Sequence, residues 1–107
     1  MAIRDGYGYI TVVTDLSPWD LDTGTPLAII HGLSITEWKT IKDMQITVIN
    51  NAGTAMYDFV AGDGSGVAGR ITVSSSLFDI TRTTGQVFDA AGFNAATATF
   101  IYRYLTD

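Results

Sequence analysis

Residues 69–82, GRITVSSSLFDITR, decide the fold of this chain. Ile71 and Val73 alternate with polar residues, and after three serines Phe78 and Ile80 do the same. A period of two on both sides of a small polar turn predicts an antiparallel hairpin with one buried face and one wetter face. The hairpin itself contains no pattern that indicates a chemical activity.

The rest of the chain continues as short runs of β-branched and aromatic residues separated by turn residues. The predicted strands outside the hairpin are residues 7–14, 25–31, 41–50, 55–61 and 97–105. Ser34 and Glu37 have the spacing of a capping box, which predicts one helical turn around Trp38. About seven or eight short strands without a long helix predict an all-β fold, an antiparallel β-sandwich or jelly roll. We expect one domain, with the sandwich in residues 25–107 and a strand and loop of the same domain in residues 1–24.

Composition excludes several classes of protein. The chain has 107 residues, of which 47% are hydrophobic, so we expect a single folded domain. It has no cysteine, so disulfides and thiolate metal sites are impossible. The net charge of −5 is scattered along the chain, which argues against a nucleic-acid partner. No apolar run reaches the roughly 18 residues of a membrane helix, and the N-terminus MAIRDGYGYI predicts no signal peptide.

A glycine string precedes the hairpin. Gly64, Gly66 and Gly69 have the spacing G-x-G-x-x-G, which binds dinucleotides when a helix follows it. Here the alternating β-branched residues of a strand follow instead, so the string is interpreted as a loop and no cofactor is predicted.

The segment Leu21-Asp22-Thr23-Gly24 matches the hydrophobic-Asp-Thr-Gly pattern of aspartic proteases. Aspartic proteases of the retroviral type are all-β homodimers with subunits of about this length. Each subunit contributes one carboxylate to a pair that shares a proton. The preceding residues 17–20, SPWD, are not an apolar strand, and a second acid at Asp20 would perturb such a pair. We therefore keep the protease, with Asp22 as its carboxylate, as an alternative.

The same loop raises the question of a bound cation. Asp20, Asp22 and Gly24 are spaced like the start of a calcium loop, but His31 occupies the position of the bidentate glutamate. His31 is the only histidine, so a zinc site is not predicted. We expect His31 to make a hydrogen bond at the end of a strand, and we predict no metal or catalytic residue.

Aromatic and arginine side chains are the remaining candidates for a ligand site or an interface. Trp19 lies in a polar loop where a core role is hard to arrange, which makes a carbohydrate-binding module a further alternative. Three arginines, Arg70, Arg82 and Arg103, lie in predicted strands. We expect them to pair with acids across neighbouring strands, namely Asp58, Asp79 or Asp89. The candidate ligand or interface residues are Trp19, Trp38, Tyr102, Tyr104 and Arg82.

Four segments occur in an order that is familiar from another group of proteins. They are His31-Gly32-Leu33, residues 41–51 (IKDMQITVINN), residues 80–89 (ITRTTGQVFD) and residues 101–104 (IYRY). Over about residues 26–105 the chain resembles the small β-domains at the ends of tail-fibre, head-fibre and spike proteins of tailed and related bacteriophages. That family commonly has an Arg-Gly pair before the last strand, where this chain has AATA at residues 95–98.

The resemblance implies a non-enzymatic structural protein of the virion, a fibre, spike or decoration module, made in the host cytoplasm. It further implies a homotrimer that acts through attachment to other virion proteins or through recognition of a host-surface glycan, with residues 1–24 attaching the module to the particle. Several strands are apolar on both faces, which a lone small sandwich cannot bury, so the residues too favour an oligomer.

Overall fold

The computed structural model describes residues 2–4 and 8–107. The strands in these residues are β1 (Ala2–Arg4), β2 (Tyr9–Asp15), β3 (Leu27–Ile30), β4 (Lys42–Ile49), β5 (Met56–Asp58), β6 (Gly69–Val73), β7 (Leu77–Arg82) and β8 (Thr97–Leu105). They form two antiparallel sheets. The large sheet has the order β1-β2-β8-β4-β5, and the small sheet has the order β3-β7-β6. Short 3-10 helices lie at Trp38–Thr40 and Ala91–Phe93.

The predicted hairpin is confirmed as β6 and β7. Ile71 lies opposite Ile80 and Val73 opposite Phe78, so the apolar residues of both strands share one face. Phe78 and Ile80 are fully buried. The backbone N–H of Ser74 donates to the carbonyl of Leu77 at 2.9 Å and closes the turn.

The long strand β8 is the centre of the large sheet, where it pairs with β2 on one side and β4 on the other. Its alternate residues Ala98, Phe100 and Tyr102 are buried. The Phe78 ring of the small sheet meets Phe100 edge to face, with 4.8 Å between ring centroids. This contact joins the two sheets across one hydrophobic core, so the predicted all-β sandwich is confirmed.

Of the strands predicted outside the hairpin, only 97–105 has the predicted bounds in the structure. The strand predicted at 55–61 ends at Asp58, because the Asp58 carboxylate accepts hydrogen bonds from the backbone N–H groups of Val60 and Ala61 and turns the chain. The strand predicted at 7–14 runs from Tyr9 to Asp15, and Tyr7 lies outside the described residues.

The predicted capping box is confirmed. The Ser34 N–H donates to Glu37 Oε1 at 3.0 Å, and the Glu37 N–H donates to Ser34 Oγ at 3.1 Å. The turn that follows is the 3-10 helix beginning at Trp38. Strand β4 then starts with an irregular pairing next to Asp43, whose φ of 56° is in the left-handed region.

Candidate functional site

Arg82 ties three parts of the chain together from inside the sandwich. It lies opposite Gly69 on the core side of β7, and its side chain is only 8% exposed. Its Nε donates to the carbonyl of Leu21 at 2.9 Å, and its Nη2 donates to the carbonyl of Asp22 at 3.0 Å. Nη2 also lies 3.2 Å from Asp89 Oδ1 in an ion pair. We call this arrangement of Arg82, Asp89 and the two carbonyls the Arg82 clamp.

The neighbours of the clamp are fitted to it. Gly24 has a φ of 71°, and a Cβ atom there would lie 2.5 Å from Arg82 Nη2, so only glycine lets the loop approach the guanidinium. Arg82 Nη1 donates to Thr84 Oγ1 at 3.1 Å, and the Gly85 N–H donates to Asp89 Oδ2 at 2.8 Å. All three guanidinium nitrogens therefore have partners within the chain.

The expected pairing of arginines with acids is confirmed for Arg82 and Asp89. Arg103 pairs with a different acid, because its Nη1 lies 3.1 Å from Asp43 Oδ2 at the irregular start of β4. Within the described residues no ion pair is formed by Arg70. Arg70, Arg82 and two threonines, Thr81 and Thr83, line a surface cavity of about 190 Å³. This volume is below the roughly 300 Å³ of ordinary small-molecule sites, so the cavity is too small for a complete drug-sized ligand.

The loop that carries Asp22 is a closed turn. Asp20 Oδ1 accepts from the Thr23 N–H at 3.3 Å, and the Gly24 N–H donates to the Leu21 carbonyl at 3.2 Å. Leu21 is 1% exposed and belongs to the core, which the sequence did not predict. Over residues 2–4 and 8–107, no group of three or more His, Asp or Glu side chains is placed to hold a metal ion.

Trp19 belongs to the core, so the expectation that a core role would be hard to arrange is wrong. Its side chain is 7% exposed, and its ring centroid lies 5.2 Å from that of Phe59. The backbone explains the burial: Trp19 and Ala96 exchange two N–H···O bonds of 3.0 Å, which pull the polar loop onto the sandwich. The ring is not available for stacking on a sugar.

The other candidate aromatic residues also point into the molecule. Tyr102 is 6% exposed. Its burial raises the pKa of the phenol, and the nearby Tyr104 makes a smaller contribution in the same direction. Tyr104 is partly buried and packs on the core. Trp38 Nε1 is buried and has no hydrogen-bond partner among the residues that the structure describes. Trp19 and Tyr102 therefore cannot form the sugar platform that the sequence suggested.

His31 makes the hydrogen bond that was predicted for it, directly after β3. Its Nδ1 accepts from the Leu33 N–H at 3.0 Å, and its Nε2 lies 2.9 Å from the Ser74 carbonyl oxygen. Because Nδ1 is an acceptor, the proton of the neutral ring is on Nε2, where it reaches Ser74. The ring ties the end of β3 to the hairpin turn and is part of the scaffold.

The glycine string is followed by β6, as predicted, and not by a helix. Gly69 is buried, and a Cβ atom there would lie 2.3 Å from the Phe59 ring. Gly62, just before the string, would likewise place a Cβ atom 2.4 Å from that of Ala68. These glycines serve close packing of the backbone against side chains.

The large sheet has a second face that points away from the small sheet, and we call it the outer face. The strand register places Ile101 on this face together with its direct partners Val13 and Gln45. The other residues of the face follow from the same pairing along each strand. The outer-face residues are Tyr9, Thr11, Val13, Asp15, Lys42, Gln45, Thr47, Ile49, Met56, Asp58, Thr97, Thr99, Ile101, Arg103 and Leu105. Lys42 Nζ lies 3.9 Å from the centroid of the Tyr9 ring, which is a cation–π contact at one end of the face.

No helix in the described part of the chain has the length and hydropathy needed to cross a membrane. Comparisons with known proteins identify no relative: no family model, no curated protein and no solved structure matches this chain.

Proposed function

We propose that this chain is a non-enzymatic structural protein of a bacteriophage virion, a fibre, spike or decoration module that assembles with copies of itself and with other virion proteins. The observation that carries the proposal is the Arg82 clamp. The clamp lies in the segment ITRTTGQVFD, on which the resemblance to phage fibre and spike domains depends most. In the structure the charged residues of this segment hold the sandwich together, which is the role of a scaffold motif.

The outer face supports the assembly part of the proposal. Val13, Ile49 and Ile101 point away from the core on three adjacent strands. Apolar side chains on an outward-facing sheet surface are typical of a contact with another protein. The homotrimer and the attachment role of residues 1–24 come from the resemblance, and they are parts of the same proposal.

Recognition of a host-surface glycan also follows from the resemblance. Such recognition would have to use residues other than Trp19 and Tyr102, because both rings are buried. A free-standing carbohydrate-binding module built on Trp19 is therefore not proposed.

The proposal is tested by locating the protein in purified particles. Mass spectrometry and immunogold labelling of phage purified from cells that carry the gene should find the protein in the particle, at a copy number that is a multiple of its oligomer. The dimeric aspartic protease would be established instead if the protein is found only in the lysate and has a peptidase activity that Asp22→Ala abolishes and Asp20→Ala does not.

A further inference from the structure

We propose that the surface cavity lined by Arg70, Thr81, Arg82 and Thr83 binds the acidic group, a carboxylate or a sulfate, of a sugar. We call it the Arg70 cavity. It gives the proposed recognition of a host-surface glycan its residues and its ligand class, and the assignment rests on that role.

The Arg70 cavity lies on the outward side of the small sheet. Arg70 on β6 lies directly opposite Thr81 on β7, whereas the neighbouring pair of Gly69 and Arg82 belongs to the core side. Thr83 follows the end of β7. Arg70 is exposed, and Thr81 and Thr83 are half-buried, so the cavity is open to solvent over the last residues of the hairpin.

The side-chain donors of the cavity are unused within the described part of the chain. There Arg70 makes no ion pair, and no side-chain hydrogen bond involves Arg70, Thr81 or Thr83. The guanidinium of Arg82 differs, because it is already bound in the Arg82 clamp. Arg70 therefore supplies the free positive charge of the cavity, and each threonine hydroxyl can donate one hydrogen bond.

These donors match an oxyanion. A guanidinium presents two parallel N–H groups to a carboxylate or a sulfate, and such a pair is charge-assisted on both sides. The hydroxyls of Thr81 and Thr83 can bind the remaining oxygen atoms of the anion or the hydroxyls of a sugar ring. A cationic or purely apolar ligand would leave the Arg70 guanidinium without a partner.

The size of the cavity suits one sugar residue and not a longer chain. Its volume is about 190 Å³. A water molecule occupies roughly 30 Å³ of the liquid, so the cavity has room for about six of them. An acidic group fits this space together with the ring that carries it, and the rest of an oligosaccharide would stay in solvent. Because few contacts are made, we expect millimolar dissociation constants for a single sugar.

The backbone below the cavity is fixed before a ligand arrives. The Thr83 N–H donates to the carbonyl of Ala68 at 2.8 Å, which joins the end of β7 to the residue before β6. Arg82, between the two threonines, is anchored on the opposite side of the sheet by the clamp. Binding an anion then requires little ordering beyond that of the exposed Arg70 side chain.

One acid on the same face opposes an anion. Asp79 lies two residues before Thr81 on β7, and its partner Thr72 lies two residues after Arg70 on β6. Asp79 is exposed, and no ion pair joins it to Arg70 in the part of the chain that the structure describes. Its carboxylate is therefore a nearby negative charge that weakens the binding of an anion.

Binding is tested by amide-detected NMR titration in low-salt buffer with sodium glucuronate, a sulfated glucose and neutral glucose. At least one of the two acidic sugars should cause saturable shifts at residues 70 and 81–83, and their relative affinities identify the acidic group. Neutral glucose should cause none. The matching free anions, acetate and inorganic sulfate, should bind at least about threefold more weakly than the sugar that carries the same group, because they lack the contacts of the ring.

The matched variants are Arg70→Gln and Lys39→Gln, which lower the positive charge of the chain by the same amount. Arg70→Gln should weaken binding at least about tenfold, because it removes the charge-assisted pair. Lys39 is exposed on the 3-10 helix that packs on β8 of the large sheet, so Lys39→Gln should leave binding unchanged. Asp79→Asn should strengthen binding about twofold to threefold, since it removes a repulsion.

Three results would overturn the assignment of an acidic sugar to the Arg70 cavity. They are the absence of shifts at residues 70 and 81–83 with both acidic sugars, equal losses of binding in Arg70→Gln and Lys39→Gln, and free anions that bind as tightly as the sugars. The location of the protein in purified particles does not depend on this cavity. A chain that is found in the particle and binds no acidic sugar would leave the proposed virion function standing, so the two ideas fail separately.

Discussion

Arg82 Nη2 lies 3.2 Å from Asp89 Oδ1, and the two side chains are 8% and 26% exposed. The same guanidinium binds the carbonyls of Leu21 and Asp22. A buried charge costs free energy unless an opposite charge and hydrogen bonds compensate it, and here both are present. The pair therefore fixes the loop before β3 and the loop after β7 to the same point of the core.

Replacing Arg82 by methionine should lower the free energy of unfolding by about 2–4 kcal/mol. The change removes the partners of two carbonyls and leaves Asp89 without its cation. Urea unfolding followed by tryptophan fluorescence measures the difference. Arg82→Lys should recover only part of it, because an ammonium cannot reproduce the planar fork of donors.

The matched control is Arg70→Met, an exposed position on the partner strand of the same hairpin. We expect its effect on the free energy of unfolding to stay within about 0.5 kcal/mol. Equal effects of the two methionine variants would show that the Arg82 clamp contributes nothing specific.

Gly69→Ala should destabilise the protein by about 1–3 kcal/mol, as overpacking does in a dense core. The added methyl group would lie 2.3 Å from the Phe59 ring, which is itself fully buried and stacked on Phe88. Thermal unfolding of this variant should be compared with that of Gly92→Ala, where a Cβ atom meets nothing within 4 Å. If Gly69→Ala is as stable as Gly92→Ala, Phe59 can move aside and the site is not tightly packed.

Periodicity predicted the parts of the fold whose side chains alternate. The hairpin β6–β7 was predicted with one buried and one wetter face, because Phe78 and Ile80 repeat at every second position. The last strand β8 was predicted with its bounds, since its aromatic residues alternate in the same way. The strand predicted at 55–61 was too long. There the sequence looked apolar, but the Asp58 carboxylate binds the next two N–H groups and ends the strand.

The loop residues of the core could not be predicted in the same way. Trp19 and Leu21 lie in a segment rich in Asp, Pro and Gly, and nothing in the local pattern indicates burial. Their burial depends on long-range partners, the backbone of Ala96 for Trp19 and the Arg82 clamp for Leu21. The role of Arg82 was missed for the same reason, although Asp89 was among the acids expected to pair with the strand arginines.

Trp19→Ala should destabilise the protein by about 3–5 kcal/mol, as the loss of a large aromatic ring from a core does. Trp38→Phe leaves Trp19 as the one tryptophan, since the chain has two. The fluorescence of that variant should be blue-shifted and poorly quenched by acrylamide, as expected for a ring that is 7% exposed. Red-shifted and easily quenched emission would mean that Trp19 is at the surface and free to bind a ligand.

Asp107 is held by the capping-box segment, and this contact should respond to pH. Hydrogen bonds from the hydroxyls of Ser34 and then Thr36 lower the pKa of the Asp107 carboxyl below its ordinary value of 3.8. A lowered pKa in the folded state stabilises the protein above pH 3.8, and this contribution is lost as the pH falls through the folded value. Carboxyl-detected NMR should therefore give a titration midpoint below 3.8 for Asp107, and Ser34→Ala combined with Thr36→Val should return it towards 3.8. An unchanged midpoint in the double variant would show that the two hydroxyls do not hold the carboxylate in solution.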